Sequence, residues 1–194
     1  QNCFISITVV LYLAIGLTAC ASTPASQQKL IADDGAADDF FGYSVALSDD
    51  TAVIGLFKDD DQILGNDAGS AYVFARSGKV WRQQTKLTAI DGAPNDTFGG
   101  NVTLSGNTIV VGSMRDDDRG ENSGSAYVFT RSNGIWKHQT KISPADGAKG
   151  NAFGQSLALS GNTLIIGSPR DDVSGEDTGS VYVFTRDGAF WHQQ

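Results

Sequence analysis

The chain has 194 residues, a formal charge of −8 and 23 glycines, a balance that suits a turn-rich all-β module and excludes a mainly helical one. Acidic residues outnumber basic ones by 22 to 14 and no basic stripe interrupts them, which excludes nucleic acid as a partner because phosphate is repelled.

Residues 1–28 carry no charge and hold both cysteines, with an apolar run from Phe4 to Leu17 that ends in Leu17-Thr18-Ala19-Cys20. This resembles the leader of a bacterial lipoprotein. The resemblance implies cleavage just before Cys20, acylation of its thiol, and a polar tether over residues 21–27. Export to the cell envelope or outer membrane, or release outside the cell, follows from it. A plain signal peptide or a transmembrane anchor are the other readings, although the run is short of the roughly 20 residues of a span. Neither Met nor a basic residue precedes it, so the sequence reads as starting inside a leader. No cysteine follows Cys20, so the folded part is held by packing alone.

Residues 28–194 repeat themselves three times. Phe41-Gly42, Phe98-Gly99 and Phe153-Gly154 open the units, Gly-Ser-x-Tyr-Val-Phe returns at Gly69, Gly124 and Gly179, and Trp81, Trp136 and Trp191 close them. The step is 55 residues from Gly69 to Gly124 to Gly179, but 57 from Phe41 to Phe98. Gly42 and Gly55 keep the same spacing of 13 as their counterparts, so two extra residues of unit one fall between Gly55 and Gly69, in an acidic loop. Repeats of this length point to propeller blades, with units near 34–90, 91–145 and 146–194.

Each unit reads as four strands. In unit two, Asn101–Leu104 alternates, Ser105-Gly106-Asn107 turns, and Thr108–Val111 runs apolar, which makes a hairpin whose second strand is covered on both faces. The Ser-Ala-Tyr-Val-Phe strand follows, then a turn at Gly134 and a polar fourth strand, residues 135–142, whose lysines suit an outer edge. Four antiparallel strands per unit is a propeller blade. Residues 27–30, Gln-Gln-Lys-Leu, match Gln83-Gln84-x-Lys86-Leu87 and read as an outer strand that belongs to a preceding blade. Three units make an open arc, whose terminal faces, carrying residues such as Leu164, Ile165 and Ile166, lack a covering sheet.

The pattern Asp-Gly-Ala, Phe-Gly-x-Ser/Asn-Val, Gly-x-x-Lys/Arg-Asp-Asp, Gly-Ser-x-Tyr-Val-Phe and Trp resembles the FG-GAP repeat of bacterial surface proteins and, more distantly, of integrin α-chain propellers. That resemblance implies an all-β propeller used for adhesion or for protein or glycan binding. The Gly-Ala-Pro element departs from the family pattern as Gly55-Leu56-Phe57, Gly112-Ser113-Met114 and Gly167-Ser168-Pro169. Integrin-type repeats also hold calcium in their acidic loops.

The acidic loop after strand two carries the sharpest chemical signal. It contains Asp59, Asp60 and Asp61 with Asp67, then Asp116, Asp117 and Asp118 with Asn122, then Asp171 and Asp172. Carboxylates two apart, Asp59 with Asp61 and Asp116 with Asp118, converge if the middle residue points away, which makes Asp59, Asp61, Asp67, Asp116, Asp118, Asn122 and Asp171 the candidate calcium ligands. The other reading is a solvated loop of self-capping Asp and Asn. Val173 interrupts the set in unit three. A second acidic set precedes each Phe-Gly, and its Asp34-Gly35, Asp91-Gly92 and Asp146-Gly147 pairs read as inter-blade turns. His138 and His192 occupy no repeated position, and no zinc, phosphate-loop or cysteine nucleophile motif is present, so the chain is expected to be non-enzymatic. A scaffold segment of a longer surface protein is the alternative. A hydrolase built on the Asp pairs is the third reading.

Overall fold

The computed structural model describes residues 27–194, which form twelve strands and no helix. The first sheet holds β1 (Ser44–Ser48), β2 (Thr51–Leu56), β3 (Ser70–Ser77) and β4 (Val80–Leu87). The second holds β5 (Asn101–Ser105), β6 (Thr108–Ser113), β7 (Ser125–Ser132) and β8 (Ile135–Ile142). The third holds β9 (Ser156–Ser160), β10 (Thr163–Ser168), β11 (Ser180–Asp187) and β12 (Phe190–Gln193). Every sheet is antiparallel and in chain order, so each repeat is one propeller blade. The first strands β1, β5 and β9 lie next to one another, and β4, β8 and β12 form the outer edges.

The period-2 pattern of the strands decides how blades stack. On blade one, Val53, Ala71, Val73 and Leu87 point one way and meet Val102, Leu104, Ile109, Val111, Tyr127 and Phe129 of blade two. Val110, Ala126, Val128 and Ile142 of blade two meet Leu164, Ile166, Tyr182 and Phe184 of blade three in the same manner. The core is therefore a pair of inter-blade seams. Phe98 and Phe153, fully buried, wedge into them edge-on to the aromatic pairs Tyr127/Phe129 and Tyr182/Phe184. Glycine is required where the backbones touch. A Cβ at Gly112 would run into the carbonyl oxygen of Gly154, and one at Gly55 into that of Gly99.

A one-residue irregularity between Val73 and Phe74, repeated between Val128 and Phe129, leaves Gln84 and Gln139 without strand partners. Such a bulge re-aims a side chain. Gln84 donates to the Gly134 carbonyl of blade two at 2.8 Å and accepts from the Trp136 indole at 3.2 Å. Gln28 contacts blade one differently, bonding both backbone groups of Trp81 at 2.7 and 2.9 Å, while Leu30 and Ala32 pack on that blade. Residues 27–30, which the sequence pattern reads as an outer strand, form no strand and join no ladder; their contacts with blade one are made by side chains.

The three sheets make an open arc. Val45 and Leu47 on blade one are 69% and 67% exposed, whereas their counterparts Val102 and Leu104 on blade two are 6% and 8% exposed. At the other end Val181 is 65% exposed where Ala71 and Ala126 are fully buried.

Candidate functional site

The acidic loop and the turn before each Phe-Gly meet at one end of the blade, and the tyrosine of strand three stands between them. In blade two the Tyr127 hydroxyl lies 2.8 Å from both Asp91 Oδ1 and Asp116 Oδ2. The Lys141 ammonium enters from the outer strand and sits 2.9 Å from Asp91, 2.7 Å from Asp116 and 2.7 Å from Asp118. Ser125 donates to the other oxygen of Asp116. Blade one repeats the arrangement. Tyr72 donates to Asp34 at 2.6 Å, and the Lys86 ammonium is 3.0 Å from Asp34 and 2.7 Å from Asp59. In blade three Tyr182 reaches Asp146 at 3.1 Å and Asp171 at 2.9 Å, with Ser180 and Asn151 also donating to Asp171.

These neighbours shift one another's protonation. Burial alone would lower Lys86 and Lys141, but hydrogen bonds to Asp59 and to Asp116 and Asp118, with those of the other partners, raise both above the ordinary lysine value. Burial followed by the Asp34 hydrogen bond pushes Tyr72 up to about 12, and burial followed by the Asp116 charge raises Tyr127 further still. Asp34 is held below the usual carboxylate range, first by the Tyr72 hydroxyl. Asp91 is held low as well, because hydrogen bonds from Lys141 and Tyr127 outweigh the effect of burial.

The remaining acids close the loops on themselves. The middle carboxylates Asp60, Asp117 and Asp172 accept from the backbone N–H of Asp67, Asn122 and Asp177 at 2.7–2.8 Å. Those three acceptor-bound residues all lie at positive φ, between 52° and 56°, a conformation that Asp and Asn tolerate. Asp61 turns away from the lysine and accepts from the N–H groups of Ile63 and Leu64. The two extra residues of unit one sit there, and an antiparallel bridge between Asp61 and Gly65 replaces the Asp118–Gly120 bridge of unit two. Thus Asp116 and Asp118 converge and Asp59 and Asp61 do not. Asp67 lies 3.8 Å from Lys58, and Asn122 and Asp171 are separate from either cluster. Cys20 and the leader lie outside the described residues.

A second feature lies where the first strands converge. A groove of about 400 Å³ crosses all three blades beside the Phe-Gly turns, lined by Tyr43, Asn101, Met114 and Gln155 among others. Met114 and Gln155 continue it into a neighbouring hollow of about 300 Å³ that also holds Arg115 and Arg170. Tyr43 packs against Phe57 with ring centroids 4.3 Å apart and planes tilted by 50°, and the Phe57 and Phe40 centroids are 5.5 Å apart. The positions that line the groove differ between units. Tyr43, Gly100 and Gln155 are equivalent and all line it, and Met114 lines it at the position equivalent to Phe57 and Pro169.

With three equivalent blades on the page, the family assignment follows from a match of the FG-GAP repeat pattern to residues 25–74, 81–129 and 136–184. The chain belongs to the FG-GAP repeat family. No curated protein matches it. The second and third matches begin at Trp81 on β4 and Trp136 on β8, and end at Phe129 on β7 and Phe184 on β11. An FG-GAP unit therefore spans the outer strand of one blade and the first three strands of the next. The Gln84 side chain and the Phe98 wedge both lie inside such a unit, which makes the inter-blade seam part of the repeat itself.

Proposed function

We propose that this chain is a non-enzymatic, exported FG-GAP module that binds a protein or glycan across the Phe-Gly end of its blades. The observation that carries the reading is where the repeat breaks. The Asp and Tyr pair recurs in all three blades and its lysine in the first two, while the groove position after each Phe-Gly changes from Tyr43 to Gly100 to Gln155, and Met114 in the groove replaces the Phe57 of unit one and is replaced by Pro169 in unit three. A scaffold needs no such difference, whereas a single ligand crossing three blades meets different chemistry on each. The exposed Tyr43 and Phe40 beside Phe57, with the Asn101 and Gln155 amides, supply apolar planes and hydrogen-bonding groups of the kind that recognition surfaces concentrate. Delivery to the envelope rests on the lipobox that ends at Cys20 and on the polar tether behind it.

The test is binding of the purified chain to immobilised polysaccharides and envelope proteins, compared with Tyr43→Ala and Gln155→Ala variants of unchanged melting temperature. At least a tenfold loss of affinity in these variants is expected. Binding that ignores both substitutions, or none by the native chain, leaves the scaffold reading in its place. Cys20→Ala is expected to abolish lipid labelling in a bacterial host, and labelling that persists removes the anchor.

A further inference from the structure

The family resemblance suggests calcium in the loops after strand two, and the side chains of blades one and two do not fit it. Calcium takes roughly six to eight oxygens at about 2.3–2.6 Å. In blade two the point on which Asp91, Asp116 and Asp118 converge is held by the Lys141 ammonium, at 2.7–2.9 Å from all three. In blade one the buried Asp59 Oδ2 is matched by the Lys86 ammonium at 2.7 Å. Asp60, Asp61 and Asp117 are committed to backbone N–H groups, and Asp67 and Glu121 face Lys58 and Lys149. Among the described residues no group of three or more His, Cys, Asp or Glu side chains is arranged to hold a metal ion. A dication placed in either cluster would have to expel an ammonium already paired with a carboxylate only 3–5% exposed.

We propose that Lys86 and Lys141 are the built-in cations of the first two blades, each fastening an outer strand to the loop after strand two and to the turn before the Phe-Gly. Each lysine starts on the outermost strand, sets its ammonium 5.1–5.2 Å from the centroid of a tyrosine ring, and ends between the loop after strand two and the turn before the Phe-Gly. Calcium ions often join loops in this way, but here the covalent chain supplies the charge. Folding of these blades is then independent of calcium and of chelators. The cluster left by removing the Lys141 charge, three carboxylates with the Tyr127 and Ser125 hydroxyls beside them, becomes one that a divalent ion can enter.

The experiment is thermal melting of the full chain in millimolar calcium chloride and in a chelator, for the native protein, Lys141→Met, Lys141→Arg and Lys86→Met. Native and Lys141→Arg melts superimpose in the two solutions. Lys141→Met melts several degrees lower in chelator and recovers in calcium. Lys86→Met, which leaves only Asp34 and Asp59, melts lower without recovering, and it carries the test if Lys141→Met does not fold. A native melting temperature that rises with calcium as much as that of Lys141→Met overturns the proposal, as does a Lys86→Met melt equal to the native one.

Discussion

Asp96→Asn should stabilise the protein at neutral pH. Asp96 is only 5% exposed and accepts from the Ala93 N–H at 2.8 Å, and no cation pairs with it. Burial, followed by the charges of Asp116 and Asp117, raises its pKa from 3.8 to about 6. Because the folded-state value lies above the unfolded one, the folded state binds the proton more tightly. The contribution of Asp96 is then most favourable below about pH 4 and declines as pH rises to about 6, beyond which the cost of the buried charge is constant. Two pK units correspond to about 2–3 kcal/mol at pH 7. Unit three already makes the exchange. Asn151 holds the equivalent position, is 3% exposed and donates to Asp171 at 3.3 Å, while its carbonyl accepts from Ser168 as that of Asp96 accepts from Ser113. Asn at position 96 should keep the turn and donate to Asp116 instead of repelling it. In melts between pH 4 and 8, the variant should gain about 5–10 °C over the native chain at pH 7 and nothing at pH 4. A variant no more stable than native at pH 7, or an equal gain at both ends of the range, would refute the reasoning.

Tyr127→Phe removes the hydroxyl between Asp91 and Asp116, and should cost about 1–3 kcal/mol in denaturant unfolding; an unchanged midpoint would mean that Lys141 alone satisfies both carboxylates. Gly112→Ala pushes a methyl into the Gly154 carbonyl and should cost about 1–3 kcal/mol or more, because two backbones must part. A variant that melts with the native chain would show that the seam yields freely. Below about pH 4 stability should fall again, since the depressed Asp34, Asp61 and Asp91 take up protons there and release their partners. A flat melting temperature from pH 4 to 2 would contradict this. Sedimentation of the native chain should show concentration-dependent association through its open faces, and Val181→Lys should reduce it; equal association in both would place the contact elsewhere.

The strands and their order were legible because each unit repeats its own evidence. Thr108–Val111 is apolar without a break, Ser105-Gly106-Asn107 turns, and the fixed step of Gly69, Gly124 and Gly179 aligns every strand with two others. The loop insertion was legible from spacing alone, and its consequence for Asp61 was not. The lysines show the limit most clearly. On a polar outer strand Lys86 and Lys141 read as edge charges, but the irregularity beside Phe74 and Phe129 changes the phase of the strand and sets each lysine opposite a tyrosine, Lys86 on Tyr72 and Lys141 on Tyr127. Alternation cannot reveal a bulge before the ladder is known. Asp34 and Asp91 were likewise readable as turn residues, and their second role needs a tyrosine 36 to 38 residues away. A signal was present: Asp, Tyr and Lys recur at one phase in the first two units, and opposite charges that recur together mark a contact.

A crystal structure of the chain grown in calcium measures the central claim most directly. The account predicts the Lys141 ammonium between Asp91, Asp116 and Asp118, and the Lys86 ammonium between Asp34 and Asp59, with no metal in either cluster. Calcium bound to Asp116 or Asp59 with its lysine turned out to solvent would contradict it.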